Sequence, residues 1–198
     1  MSKLYFKYGV MGSSKSANLL ITKYNYEQKG FNVLLLKPTV DTRDNVNGDL
    51  VVKTRIGLYS KCTGITPQES AIEIYNKHNG VKKVDVIIVD EAQFLTARQV
   101  DELHEISSNV PVLCYGLLTD FSTHLFEGSK RLVETAESMQ EVKTICACGR
   151  KATCNARFVG GEIVTEGDSV AIENGNVTYE AMCYRCYLDL KRNKLKKG

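Results

Sequence analysis

The chain has no apolar run approaching the ~18 residues of a membrane span, and it has no internal repeat and no low-complexity segment. It also lacks a strong charge bias. Against 23 Asp and Glu it sets 26 Lys and Arg, a formal net charge of +3, too little to argue for a nucleic-acid partner. Its one basic cluster, Lys191-Arg192-Asn193-Lys194-Leu195-Lys196-Lys197, reads as a solvated terminus. His78, His104 and His124 stand in polar surroundings and read as surface residues, and nothing suggests a Ser-His-Asp arrangement. The opening residues Met1 to Tyr8 lack the apolar core and cleavage site of a signal peptide, so a cytoplasmic location is expected, and disulfides are not.

That expectation bears on the seven cysteines. Cys62, Cys114 and Cys154 are isolated and read as small buried or half-buried thiols. Cys146-Ala147-Cys148 and Cys183-Tyr184-Arg185-Cys186 are close-spaced pairs. In a reducing compartment they read as four thiolates around one Zn²⁺, a closed structural site.

With 198 residues, 43% of them hydrophobic and 25% charged, the chain has room for one globular domain, or for one domain plus a small appendage. Apolar, β-rich runs occur at Leu4 to Tyr8, Phe31 to Leu36, Val84 to Val89 and Val110 to Tyr115. Between them lie segments of helical character, Lys15 to Gln28, Gln68 to Lys77, Ala97 to Ser107 and Ser129 to Ala136. Continuous apolar strands alternating with helices imply an α/β fold, a parallel sheet covered on both faces. Ligands bind beyond the carboxyl ends of such strands. From about Val142 the helical periodicity fades, and Gly160-Gly161 and Asn174-Gly175 signal turns. The division expected is a nucleotide-binding core at 1–141 and a zinc-anchored β module at 142–198.

Directly after the first apolar run comes Gly9-Val10-Met11-Gly12-Ser13-Ser14-Lys15-Ser16. It fits the phosphate-binding pattern G-x-x-x-x-G-K-[ST] except that Ser14 stands where the second glycine belongs. In such a loop backbone N–H groups and a helix N-terminus surround phosphates. Lys15 reaches the β- and γ-phosphates and the Ser16 hydroxyl meets Mg²⁺. If position 14 needs a positive φ, serine costs about 1–2 kcal/mol there. Farther on, Val86-Ile87-Ile88-Val89-Asp90 reads as a strand ending in a magnesium-binding carboxylate. Glu91, one step beyond, is placed for general-base work on a hydroxyl or water. Taken alone, the same residues also suit a strand ending in a solvated acidic turn.

These pieces, together with Asp41-Thr42-Arg43, Asp90-Glu91-Ala92-Gln93-Phe94, Tyr115-Gly116-Leu117, Asp120-Phe121, Phe126-Glu127-Gly128-Ser129 and the cysteine frame, resemble the thymidine kinase family of the cytosolic, zinc-containing type. The match runs in family order from about residue 4 to residue 188. It implies a P-loop NTPase (RecA-like) core with a zinc-anchored lasso, using ATP, Mg²⁺ and structural Zn²⁺. It implies transfer of the ATP γ-phosphate to the 5′-hydroxyl of thymidine, deoxyuridine being left open, in pyrimidine deoxynucleotide salvage. Glu91 matches the catalytic base. Gly9, Val10, Met11, Gly12, Ser13, Ser14, Lys15 and Ser16, with Asp90 and Gln93, match the ATP site. Ser16, Asp41, Arg43 and Asp90 match positions near the phosphates and magnesium.

By the same resemblance, Met11, Phe94, Leu117 and Phe121 wall the nucleoside. Ser169, Val170, Ala171, Ile172 and Glu173 belong to the lasso that reads the base edge through its backbone, and Tyr179 packs against the base. Cys146, Cys148, Cys183 and Cys186 are the zinc ligands. A homotetramer, feedback by thymidine triphosphate, and neither nucleic-acid nor membrane partners are further implications. Besides Ser14, the chain departs from relatives in Ser122-Thr123-His124, which leaves no basic side chain directly after Phe121. It departs again at Ile172-Glu173-Asn174-Gly175, where relatives commonly have Ile-Gly-Gly. Two other readings stand beside the kinase. One is a degenerate nucleotide binder without turnover, and the other a P-loop ATPase whose zinc ribbon touches nucleic acid.

Overall fold

The computed structural model describes residues 3–40, 45–46, 48–167 and 176–195. Strand β1 (Leu4–Tyr8) leads through the glycine-bearing loop into α1 (Lys15–Gln28) and then β2 (Val33–Pro38). Short antiparallel strands follow, β3 (Asn45–Val46), β4 (Asp49–Lys53) and β5 (Tyr59–Lys61), before β6 (Thr63–Ile65) returns to the main sheet. Next come α2 (Ala71–Val81), β7 (Val86–Val89), a 3-10 turn at Ala92–Phe94, α3 (Ala97–Ile106), β8 (Val112–Gly116), α4 (Glu127–Thr135) and β9 (Ser138–Glu141). The chain finishes with β10 (Cys154–Val159), β11 (Glu162–Val164), β12 (Val177–Met182) and α5 (Tyr184–Leu195).

The main sheet runs β6-β2-β7-β8-β1-β9, and each neighbouring pair is parallel. Alternation along the strands sorts side chains to two faces. Leu34, Leu36, Ile87, Val89, Val112 and Cys114 pack toward Ala71, Val100, Leu103, Ile106 and Leu132 of α2, α3 and α4. Leu35, Val86, Ile88, Leu113 and Tyr115 pack toward Leu19 and Leu20 of α1 and Val52 of β4. Burial of each such aliphatic side chain is worth about 1.5–3 kcal/mol relative to exposure. Packing on two faces, more than local propensity, therefore holds the sheet that presents the loop after β1 and the turn after β7. No helix among the described residues is long and apolar enough to cross a membrane.

The α/β fold with a parallel sheet agrees with the sequence expectation, and α1 and α3 start where the sequence puts them. Other boundaries differ for local reasons. Helix α2 begins at Ala71 rather than Gln68, because Ser70 Oγ caps Glu73 N at 3.3 Å and the preceding turn is closed by Glu69 accepting from Thr66 N at 2.7 Å. Val84 and Val110 are buried yet precede their strands, so the apolar runs outlast the ladders. Strand β9, with only one flanking strand, lacks an apolar run and was not expected. The expected β module does contain the three-stranded sheet β11-β10-β12, but it ends in α5, whose Tyr187 and Leu190 pack on Cys154, Ala156 and Ile163.

Candidate active site

The loop after β1 has little space at its start. A Cβ on Gly9 would lie 2.4 Å from Val142 O and 2.6 Å from Ser13 Oγ. Ser14, the serine in the glycine position, adopts φ 62° and ψ 25°, a left-handed conformation that glycine would take without strain. Helix α1 nevertheless opens at the next residue, with Ser14 O accepting from Asn18 N at 3.0 Å. The loop therefore closes with serine in place, at a backbone cost of about 1–2 kcal/mol. Lys15 Nζ donates to Val10 O at 2.9 Å. Burial lowers its pKa, opposed by the Glu91 and Asp90 carboxylates.

Ser16 Oγ lies 3.3 and 3.4 Å from the two Asp90 carboxylate oxygens, so the first turn of α1 meets the end of β7. Asp90 is 4% exposed. Burial, then the neighbouring Glu91, pushes its pKa up to about 7, while Lys37, the Glu91 N–H and Lys15 pull the other way. The hydroxyl and carboxylate are the donor types that hold Mg²⁺ beside a triphosphate, and a buried carboxylate next to a second one gains most from a cation. Lys37, fully buried on β2 and donating to Val51 O at 3.4 Å, is a member of this charge cluster that sequence reasoning missed.

Glu91 is held at φ 50° and ψ 39°, a left-handed conformation that is strained for a residue bearing Cβ. Its carboxylate accepts from Gln93 Nε2 at 2.6 Å, and Gln93 Oε1 accepts from Leu117 N at 3.0 Å. Gly116 leaves room for that buried amide, since a Cβ there would meet Gln93 Oε1 at 2.7 Å. Gln93 thus touches Glu91 and the end of β8.

Of the residues expected around a nucleoside, Met11, Phe94, Leu117 and Tyr179 are half-buried, and Phe94 packs edge-to-face on Phe126 at 5.8 Å. Phe121 is buried, under the Arg157 guanidinium 3.6 Å from its ring centroid. The loop that carries it is tied by Asp120 Oδ1, which accepts from Ser122 N, Ser122 Oγ and His124 N at 2.9, 2.7 and 3.0 Å. Tyr187 Oη adds a bond to Phe121 O at 2.8 Å. Arg157 and Tyr179 are paired across β10 and β12. Sequence reasoning missed Arg157, Tyr187 and Asn155, and no local motif marks them. Asp41, Arg43 and Ser169, Val170, Ala171, Ile172 and Glu173 lie outside the described residues. His124 is exposed as expected, whereas His104 is half-buried and so is His78, whose Nε2 lies 3.4 Å from Thr63 Oγ1.

The cysteine pairs converge. The Sγ atoms of Cys146, Cys148, Cys183 and Cys186 all lie within 4.8 Å of one another, and Cys148 and Cys183 are 3.6 Å apart. Four sulfurs on a tetrahedron around Zn²⁺ are separated by about 3.8 Å, so the set fits that ion. A tight turn, with Cys146 N donating to Arg150 O at 2.7 Å and Gly149 N to Cys146 O at 2.8 Å, brings the Cys-x-Cys pair to one side. Backbone N–H groups of Cys148 and Cys183 lower the Cys146 pKa to about 6, whereas its hydrogen bonds to the other three cysteines push Cys186 up to about 12. Ligation releases those protons.

Comparison with known proteins agrees with this geometry. The thymidine kinase family model matches residues 2–187. The thymidine kinase of enterobacteria phage T4 is 41% identical over 195 residues, covering 97% of this chain and 98% of that one. That of Rhodopirellula baltica is 40% identical over 186 residues, covering 92% and 86%. That of Zymomonas mobilis is 40% identical over 198 residues, covering 98% and 100%. Such similarity spans the P-loop, the Asp90-Glu91 turn and the cysteine cluster together, and the chain belongs to the thymidine kinase family.

Proposed function

We propose that this chain transfers the γ-phosphoryl group of ATP to the 5′-hydroxyl of thymidine. The observation that carries the reading is the meeting of Ser16, Asp90 and the Gln93-held Glu91 at the phosphate loop of a thymidine kinase family chain. Lys15 offers its charge to the β- and γ-phosphates. Ser16 Oγ and the Asp90 carboxylate would hold Mg²⁺, which when bound screens the phosphate oxygens. Glu91 accepts the 5′-hydroxyl proton as that oxygen bonds to the γ-phosphorus. The bond from this phosphorus to the β–γ bridging oxygen breaks, leaving ADP, thymidine monophosphate and a protonated Glu91. Phosphoryl transfer depends chiefly on positioning and charge neutralisation, which these residues supply.

Residues 1–141 then act as the nucleotide-binding core and 142–198 as the lasso module. Asp41 and Arg43 attend the phosphates, and Ser169 to Glu173 with Tyr179 read the base. The four cysteines hold structural Zn²⁺. A cytoplasmic homotetramer inhibited by thymidine triphosphate belongs to the same proposal. The left-handed Ser14, followed at once by an intact α1, argues against a degenerate binder. The test is thymidine-dependent conversion of ATP to ADP by the purified, zinc-loaded protein with Mg²⁺. Thymidine monophosphate should form in equal amount, and ATP turnover that ignores thymidine would refute the proposal.

A further inference from the structure

The seam between the P-loop and the cysteine-bearing module contains two specific contacts. Val10 shares a buried apolar cluster with Cys146, Ala152 and Cys183, two of which belong to the four-cysteine cluster. The carbonyl of that same Val10 accepts from Lys15 Nζ at 2.9 Å. One residue on, Met11 N donates to Asn155 Oδ1 at 2.7 Å, and Asn155 Nδ2 donates to Thr119 O at 3.0 Å. An N–H on one side and a carbonyl on the other admit only one orientation of this buried amide. Asn155 lies on β10 opposite Ala181 of β12, the strand that runs directly into Cys183, so its position follows that of the four-cysteine cluster. A cavity of about 220 Å³ lies beside these contacts, lined by Tyr8, Val10, Thr119, Glu141, Lys151 and Asn155. Val10 and Asn155 are therefore two points, among the described residues, at which the cysteine-bearing module directly touches the phosphate loop.

We propose that Val10 and Asn155 are positioning residues through which the cysteine-bound metal supports the phosphate loop, so that metal occupancy and ATP binding strengthen each other. The metal then does more than anchor the base-reading segment. If the metal orders the loop that binds ATP, ATP must in turn hold the metal more tightly by the same factor, because linkage is reciprocal. The inference rests on the kinase reading only in taking ATP as the ligand of that loop.

Two measurements on the full chain test it without assaying turnover. One is the rate at which zinc passes from the holoprotein to a chelating dye, with and without saturating Mg²⁺·ATP. The other is the calorimetric Kd for Mg²⁺·ATP of zinc-replete and zinc-stripped protein. ATP should slow zinc release roughly five-fold or more, and stripping should weaken ATP binding by a comparable factor, the usual range of site-to-site coupling. Asn155→Ala should keep its zinc but lose most of the ATP protection. If that variant does not fold, Val10→Ala, which leaves the amide clasp intact, is measured in its place. Zinc release that ATP leaves unchanged, in wild-type protein that does bind ATP, overturns this inference alone. Failure of the zinc-replete protein to bind ATP at all overturns both it and the kinase reading.

Discussion

Gln93 donates to Glu91 at 2.6 Å while accepting from Leu117 N at 3.0 Å, so one buried amide locks the proposed base to the end of β8. The lock matters because Glu91 sits in a left-handed conformation that its own backbone does not favour. Replacing Gln93 by Ala frees the carboxylate to turn. We expect kcat to fall about 10–100-fold, the scale of a misplaced reacting group, with the KM for ATP changed little. Steady-state kinetics checks this. A variant that raises only the KM for ATP would make Gln93 a nucleotide contact instead.

At Ser14 the strained backbone gives the opposite sign. Ser14→Gly removes a left-handed penalty of about 1–2 kcal/mol and adds about 0.5–1 kcal/mol of unfolded-state entropy. The net expectation is a gain of roughly 0.5–1 kcal/mol, or a rise of about 1–4 °C in Tm for a chain of this size. Ser14→Val, bringing a branched side chain to the same φ of 62°, should lower Tm. Thermal denaturation of the two variants decides the matter, and equal Tm values would mean that the loop relaxes around position 14.

Asp90 gives the ligand-free protein a pH signature. Its folded pKa is raised to about 7 from an ordinary 3.8, so between those values the native state holds a proton that the unfolded chain has released. Stability from this group therefore falls as pH rises through the window and stays low above it. Glu69, Asp85 and Glu137 have lowered values and act at more acidic pH with the opposite sign. Asp90→Asn should raise Tm at pH 8 more than at pH 5, while binding Mg²⁺·ATP poorly. In the wild type Mg²⁺·ATP affinity should climb from pH 6 to 8 as the proton is displaced. Calorimetry in buffers of different ionisation enthalpy measures that proton directly.

What was legible in the sequence is what is contiguous in it. Lys15 and Ser16 lie beside a strand, Asp90 and Glu91 end another, and the cysteine pairs are each close-spaced, so motif and geometry coincide. Lys37, Asn155 and Arg157 could not be found that way. Each is a single polar residue on a strand, and its role comes from a partner far along the chain: Asp90, Met11 and Phe121 respectively. The helix α5 was hidden for another reason. Its apolar face is short and its remaining surface is the Lys- and Arg-rich tail, so the helix takes shape only where Tyr187 and Leu190 meet β10 and β11. Gln93 is visible as part of a motif, but its contact with Leu117 N, far along the chain, is not.

The most direct test of the account is Glu91→Gln, which keeps size and hydrogen bonding but cannot take a proton at neutral pH. Purified wild type and variant are compared for thymidine and ATP dissociation constants by calorimetry and for thymidine monophosphate formation under saturating substrates. Affinities should stay within a few-fold while kcat drops about 10²–10⁴-fold, the usual contribution of a general base. A variant that phosphorylates thymidine at a rate comparable to wild type would remove Glu91 as the base and contradict the mechanism at its centre.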